Sequence, residues 1–135
     1  MSESIASVRD QLADRTARLV DRLRSLPAAR LARAEAGKPS LADSSHALAQ
    51  LLADLASDLQ GRARRDVPRL DDLAVGDQVA VTMADLFAAV DVAHVFSSEV
   101  EAGVAQVQGA GKDSPEAVVA LDVASIAVDE LRRQM

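Results

Sequence analysis

The longest helical pattern in the chain runs from Asp77 to Gln108, and the other segments have to be arranged around it. Its seam positions recur at alternating steps of four and three residues, which places them on one side of an α-helix. They are Val79, Met83, Leu86, Val90, Ala93, Ser97, Val100, Val104 and Val107. A helix of this length is about 45 Å long, so it can serve as the rod against which shorter helices pack.

An amphipathic pattern also covers residues 4–26. Its apolar residues fall on one narrow stripe: Ile5, Val8, Leu12, Leu19, Leu23 and Leu26. Thr16 lies within this stripe, where we expect its hydroxyl to bond the carbonyl four residues back. The pattern predicts a first helix with one buried side and one wet side.

Three more helices follow from start and stop signals. Residues 28–36 predict a short helix that Gly37 ends. Ser40 is a good N-cap for a long leucine-rich helix that ends at Gly61. The sequence Ser-Pro-Glu at 114–116 begins the last helix, which runs to about residue 133.

These segments together predict an all-α, up-and-down four-helix bundle with one short additional helix, in a single domain over residues 1–135. The chain has two phenylalanines and no tryptophan or tyrosine, so Ala, Val and Leu fill the interior and allow helices to approach closely. The short link at 109–114 favours a hairpin of the last two helices.

The last helix is apolar around most of its circumference. Only Asp122, Ser125 and Asp129 form a thin polar strip. The long helix also carries apolar side chains away from its seam. A four-helix bundle surrounds none of its helices completely, so this surplus predicts a second chain. We expect a homodimer, or a contact with a different protein, formed by Val92, Val95, Phe96, Val119, Val123 and Ile126.

The longest irregular segment, residues 61–76, contains a cluster of arginines. Pro68 and the Asp71–Asp72 pair could start a single helical turn in it, which we expect Gly76 to break before the long helix begins. The candidate anion-binding residues are Arg62, Arg64, Arg65 and Arg69. An alternative function is therefore a contact with an anion or a nucleic acid. Nucleic acid is disfavoured because residues 71–135 hold 3 basic and 12 acidic side chains and aromatics are scarce.

Two Asp-x-x-His pairs, Asp43/His46 and Asp91/His94, raise the possibility of a di-metal bundle. His46 lies opposite the leucine stripe of its own helix, so it faces away from the bundle interior, and we predict no metal or other cofactor. His94 lies near the seam of the long helix, one turn before Ser97 and Ser98. These three residues form a candidate pocket for a small ligand or an enzyme reaction, although a straight helix supplies no oxyanion hole.

The composition narrows the classes of protein to which this chain could belong. Zero cysteines exclude disulfides and thiol chemistry. We find no leader pattern and no apolar run near the roughly 20 residues that span a bilayer, so we expect a cytoplasmic protein without membrane contact. The sequence favours a non-catalytic interaction or assembly module and leaves an enzyme as the alternative.

Overall fold

The computed structural model describes the backbone of residues 4–104 and 114–135, and the side chains of residues 4–94 and 114–135. The described part is all-α. Its helices are α1 (Ile5–Ser25), α2 (Ala28–Ala32), α3 (Leu41–Leu59), α4 (Val75–Val104) and α5 (Pro115–Gln134), with a 3₁₀ turn at Asp72–Ala74 before α4. Four of these helices are long, and α2 is the short additional one.

Local capping chemistry sets most of the helix ends. The hydroxyls of Ser4, Ser40 and Ser114 each accept a hydrogen bond from the backbone N–H three residues on, which satisfies one of the free donors of the first turn. Gly61 follows α3 with φ of +65°, a left-handed conformation that suits glycine. The sequence-based starts at Ser40 and Ser114 and the stop at Gly61 are therefore confirmed.

Two helix boundaries differ from those expected. Helix α2 ends at Ala32 rather than at residue 36. Helix α4 begins at Val75, so Gly76 lies inside the helix instead of breaking it. A Cβ atom at Gly76 would lie 3.1 Å from Arg24 Cγ and 3.4 Å from Leu23 Cβ. The glycine is a point of close approach between α4 and α1.

Helix α1 runs antiparallel to α4. The guanidinium of Arg9, near the start of α1, bonds the carboxylate of Asp91 at 2.8 and 2.9 Å. Arg24, at the end of α1, bonds Asp77 at the start of α4 at 2.7 Å.

Helix α5 runs parallel to α1. Arg15 of α1 bonds both carboxylate oxygens of Asp129 at 2.9 Å. One end of α5 is fixed by Arg30 of α2, which donates to the carbonyl of Met135 at 3.4 Å. Since α2 directly follows α1, helices α1 and α5 finish at the same end of the bundle.

Helices α3 and α4 are parallel because the chain returns along α3 before α4 begins. Residues 62–71, which we call the strap, run back from the end of α3 to its start. Arg64 bonds Asp58 at 2.8 Å, the Val67 N–H bonds Gln50 at 2.7 Å, and Arg69 bonds Asp43 at 3.0 Å. Helix α4 then begins at the end of the bundle where α3 begins.

The all-α four-helix bundle with one short additional helix is confirmed, but the helices do not alternate in direction. Helices α3 and α4 point the same way, because the strap carries the chain back the length of α3. Helices α1 and α3 each pack against both α4 and α5, which places α4 and α5 at opposite corners. The expected hairpin link at 109–114 lies almost wholly outside the described residues.

The core is built from aliphatic side chains of all four long helices, and α3 and α5 add several alanines to it. Its most deeply buried members include Leu12, Leu19, Leu52, Met83, Leu86 and Leu121. Helix α5 contributes Ala117, Ala120 and Ala124, which let it sit close to its neighbours. Thr16 is buried, yet its hydroxyl has no hydrogen-bond partner in the described part of the chain, contrary to the expected backbone bond.

Candidate functional site

Helix α5 exposes a row of large apolar side chains on the face opposite its alanines. Val119 is 59% exposed and Ile126 is 67% exposed, with Val123 half-buried between them. Steps of four and three residues place the three on one face, which we call the α5 stripe. Val118 lies beside it and is 38% exposed. The apolar surplus expected on this helix is therefore present at its surface.

Helix α4 carries a separate set of exposed valines. Val92 is 66% exposed and Val81 is 61% exposed. Because α4 and α5 occupy opposite corners, these side chains face away from the α5 stripe. Val92 thus lies apart from Val119, Val123 and Ile126, with which it was expected to form one contact. The side chains of Val95 and Phe96 lie outside those that the structure describes.

The arginines of the strap divide into two groups. Arg64 bonds Asp58, and Arg69 bridges Asp43 and Asp72 at 3.0 and 2.8 Å. Hydrogen bonds from these arginines lower the pKa of Asp58 and of Asp43 below the ordinary carboxyl range. Two of the four candidate anion-binding residues are thus engaged by the protein's own carboxylates, which hold the strap against α3.

The other two arginines of the strap are Arg62 and Arg65. Both are exposed, and neither forms an ion pair with a described residue. The backbone carbonyl of Arg65 accepts a hydrogen bond from Gln50 at 3.0 Å, which fixes the backbone but leaves the guanidinium in solvent. The anion site at residues 62–69 stays a prediction that these two residues can still support.

Three of the four residues in the Asp-x-x-His pairs make described contacts within the bundle. His46 is half-buried and its Nε2 lies 2.8 Å from the Val67 carbonyl of the strap. Its partner Asp43 bonds Arg69, and Asp91 bonds Arg9, which also lies 4.7 Å over the ring of Phe87. Over residues 4–94 and 114–135, no three His, Asp or Glu side chains are grouped to hold a metal ion.

The candidate pocket at His94, Ser97 and Ser98 lies at the limit of the described side chains. His94 is half-buried, and the side chains of Ser97 and Ser98 fall outside the description. The described clefts lie elsewhere, chiefly at the end of the bundle where α1 and α5 end. The largest of those described, about 730 Å³, lies between α5 and the connection from α2 to α3, with Arg30, Arg33, Lys38 and Arg133 in its lining.

A second basic cleft, between α1 and α5, contains residues that the sequence reasoning missed. Arg18 and Arg22 of α1 and Arg132 of α5 line a space of about 310 Å³. The four-residue spacing of Arg18 and Arg22 predicts that they share a helix face. Nothing local predicts that Arg132 joins them, because this depends on α1 and α5 being parallel.

One segment, Asp72–His94, is long and apolar enough to span a membrane by length and composition alone. This corrects the expectation that no run approaches that length. Half of the tested window is buried inside the bundle, as in the core helix of a soluble protein, so the segment is weak support for a membrane span.

Comparison with known protein families, curated proteins and solved structures gives no match to this chain. Arguments about function therefore rest on the surfaces and clefts described above.

Proposed function

We propose that the protein is a non-catalytic helical interaction module that forms a homodimer through the α5 stripe. The observation that carries this proposal is the exposure of Val119 and Ile126 on a helix whose other face is already packed in the core. Contiguous apolar side chains on a surface favour association because burial removes them from water.

The energy available from the stripe is substantial but does not by itself make a stable dimer. Full burial of a valine or isoleucine contributes about 1.5 to 3 kcal/mol, so burying the exposed fractions of Val119 and Ile126 contributes about 1 to 2 kcal/mol each per protomer. A standard interface covers roughly 800 Å² per partner. The flanks of α5 therefore have to join the contact.

Charges along α5 favour a two-fold arrangement of two copies. The helix carries Glu116 in its first turn and Arg133 in its last turn. In a symmetric dimer with antiparallel α5 helices, Glu116 of each copy lies near Arg133 of the other, which also bonds Glu130 of its own helix. The apolar residues between them then meet near the two-fold axis.

The test compares two single substitutions by sedimentation equilibrium at tens of micromolar protein. Ile126→Asp buries a charge in the proposed contact, so we expect the wild-type dimer to become a monomer. Val81→Asp is the matched control, since Val81 is similarly exposed on the opposite corner, and we expect it to remain dimeric. Circular dichroism verifies that both variants keep the helical content of the wild type.

Two results contradict this function. One is a wild-type chain that remains monomeric at about 100 μM, a concentration that corresponds to a very weak association. The other is equal weakening of the dimer by both substitutions, because that places the contact elsewhere than on α5.

A further inference from the structure

The groove between the parallel helices α1 and α5 holds three guanidinium groups around a small apolar floor. Arg18, Arg22 and Arg132 line it, together with Leu19 and Met135. Its volume is about 310 Å³, and its lining contains no acidic side chain. The groove lies away from the exposed apolar residues of the α5 stripe.

The protein leaves these cations largely without counterions. Arg18 and Arg22 form no ion pair with any described residue, although Asp14 and Asp21 lie within one helical turn of Arg18. Arg132 approaches Asp129 only to 3.8 Å. In a chain of net charge −6, three arginines are thus gathered around a space that no Asp or Glu side chain of the described residues lines.

The carboxylate of Asp129 does not neutralise the charge of the groove, because Arg15 already binds it. Arg15 holds both of its carboxylate oxygens at 2.9 Å. The next acidic residue, Glu130, bonds Arg133 at 2.6 Å. The two carboxylates nearest in sequence to Arg132 therefore make their shorter contacts with Arg15 and Arg133.

Helix dipoles explain only part of this cluster. Arg22 lies in the last turn of α1 and Arg132 in the last turn of α5, where a positive side chain is favoured by the partial negative charge of the helix end. Arg18 lies a full turn earlier, beyond the range of that effect. Three like charges around one space repel one another unless an anion from outside is present.

We propose that this groove binds the phosphate group of a small phosphate monoester. Guanidinium groups bind phosphate oxygens through paired, charge-assisted hydrogen bonds, and three of them can surround one tetrahedral anion. Half-buried Met135, together with the 2% of Leu19 that is exposed, offers a small apolar surface for the carbon atoms next to the phosphate. The residues that line this site are different from those of the α5 stripe.

The test measures binding of inorganic phosphate and of phenyl phosphate by calorimetry at low ionic strength. We expect saturable binding of one phosphate per chain, with phenyl phosphate at least as tight as inorganic phosphate. The double variant Arg18→Gln/Arg22→Gln removes charge-assisted hydrogen bonds and weakens both by about tenfold or more. The matched control Arg33→Gln/Lys38→Gln changes the net charge equally at two exposed cations outside this groove and leaves both affinities within about twofold of wild type.

Three results overturn the proposal. The first is the absence of saturation up to about 10 mM of either probe. The second is equal weakening in the two double variants, which means that net charge and not this groove attracts the anion. The third is a strong preference for inorganic phosphate over phenyl phosphate, which contradicts an ester whose carbon atoms pack on Leu19 and Met135.

Discussion

Substitution of Gln50 by alanine tests the strap that makes α3 and α4 parallel. Gln50 lies on α3, where its side chain forms hydrogen bonds with the backbone of the strap. Its Oε1 accepts the Val67 N–H at 2.7 Å, and its Nε2 donates to the Arg65 carbonyl at 3.0 Å. The same Nε2 also donates to Asp54 at 2.9 Å.

The size of the effect follows from the two bonds to the strap. A neutral hydrogen bond contributes about 0.5 to 1.5 kcal/mol net, so losing two of them costs about 1 to 3 kcal/mol. Gln50 is half-buried, and water can reach the groups that are released. We therefore expect the lower half of that range, about 1 to 2 kcal/mol of unfolding free energy.

Urea unfolding measures the loss of stability, and hydrogen exchange at the Val67 amide locates it. We expect Val67 to lose protection in Gln50→Ala while the amides of the core helices keep theirs under native conditions. Gln60→Ala is the control, because Gln60 is exposed at the end of α3 and its side chain makes no described hydrogen bond. A loss below about 0.5 kcal/mol in Gln50→Ala, with Val67 exchange unchanged, refutes the role assigned to Gln50.

Two other predictions concern single groups. Arg69 and Arg64 lower the pKa of Asp43 and Asp58, so the stability from these pairs is complete above the unfolded carboxyl pKa of about 4 and is lost as the pH falls through the lowered values. The urea midpoint of the wild type should fall below pH 4, and less so in Asp43→Asn/Asp58→Asn; an equal fall contradicts the pairing. Thr16→Val replaces a buried hydroxyl that has no described partner, so we expect about 1 kcal/mol of added stability in urea unfolding; a destabilised variant means that the hydroxyl is bonded after all.

The parts of the fold that the sequence predicts are those set by neighbours along the chain. Ser40 and Ser114 cap the amides three residues ahead, and Gly61 adopts its own left-handed turn, so each signal is contained in a few positions. Gly76 misled the prediction because the same residue that can break a helix can also let two helices touch. Its contact with Arg24 joins distant parts of the chain, which no local pattern reveals.

The direction of α4 was not predictable for a related reason. The strap is fixed by side chains of α3 that bond its backbone, as when His46 meets the Val67 carbonyl. The leucine stripe correctly directs His46 away from the core, but it does not show that a returning segment covers that face. A pattern on one helix reports what faces the interior and carries no information about what lies over its outer side.

The candidate surfaces on α4, α5 and the arginine groove were also only partly predictable from local sequence patterns. Helical periodicity identifies an apolar surplus on the last helix, and Val119 and Ile126 are exposed as that surplus requires. The grouping of these residues with Val92 depends on which corners α4 and α5 occupy, and this is a property of the whole bundle. The meeting of Arg18 with Arg132 likewise follows from helix order and not from either segment alone.

The order of the helices in the bundle, which the strap between α3 and α4 sets, affects when each helix is buried during synthesis on the ribosome. Of the described helices, α1 comes first along the chain, but the helices that pack along it, α4 and α5, begin only at Val75 and Pro115. The leucines of α1 therefore gain the helices that pack along them only once α4 has been made. We expect such a chain to bury its first described helix later during synthesis than a bundle of successive hairpins does.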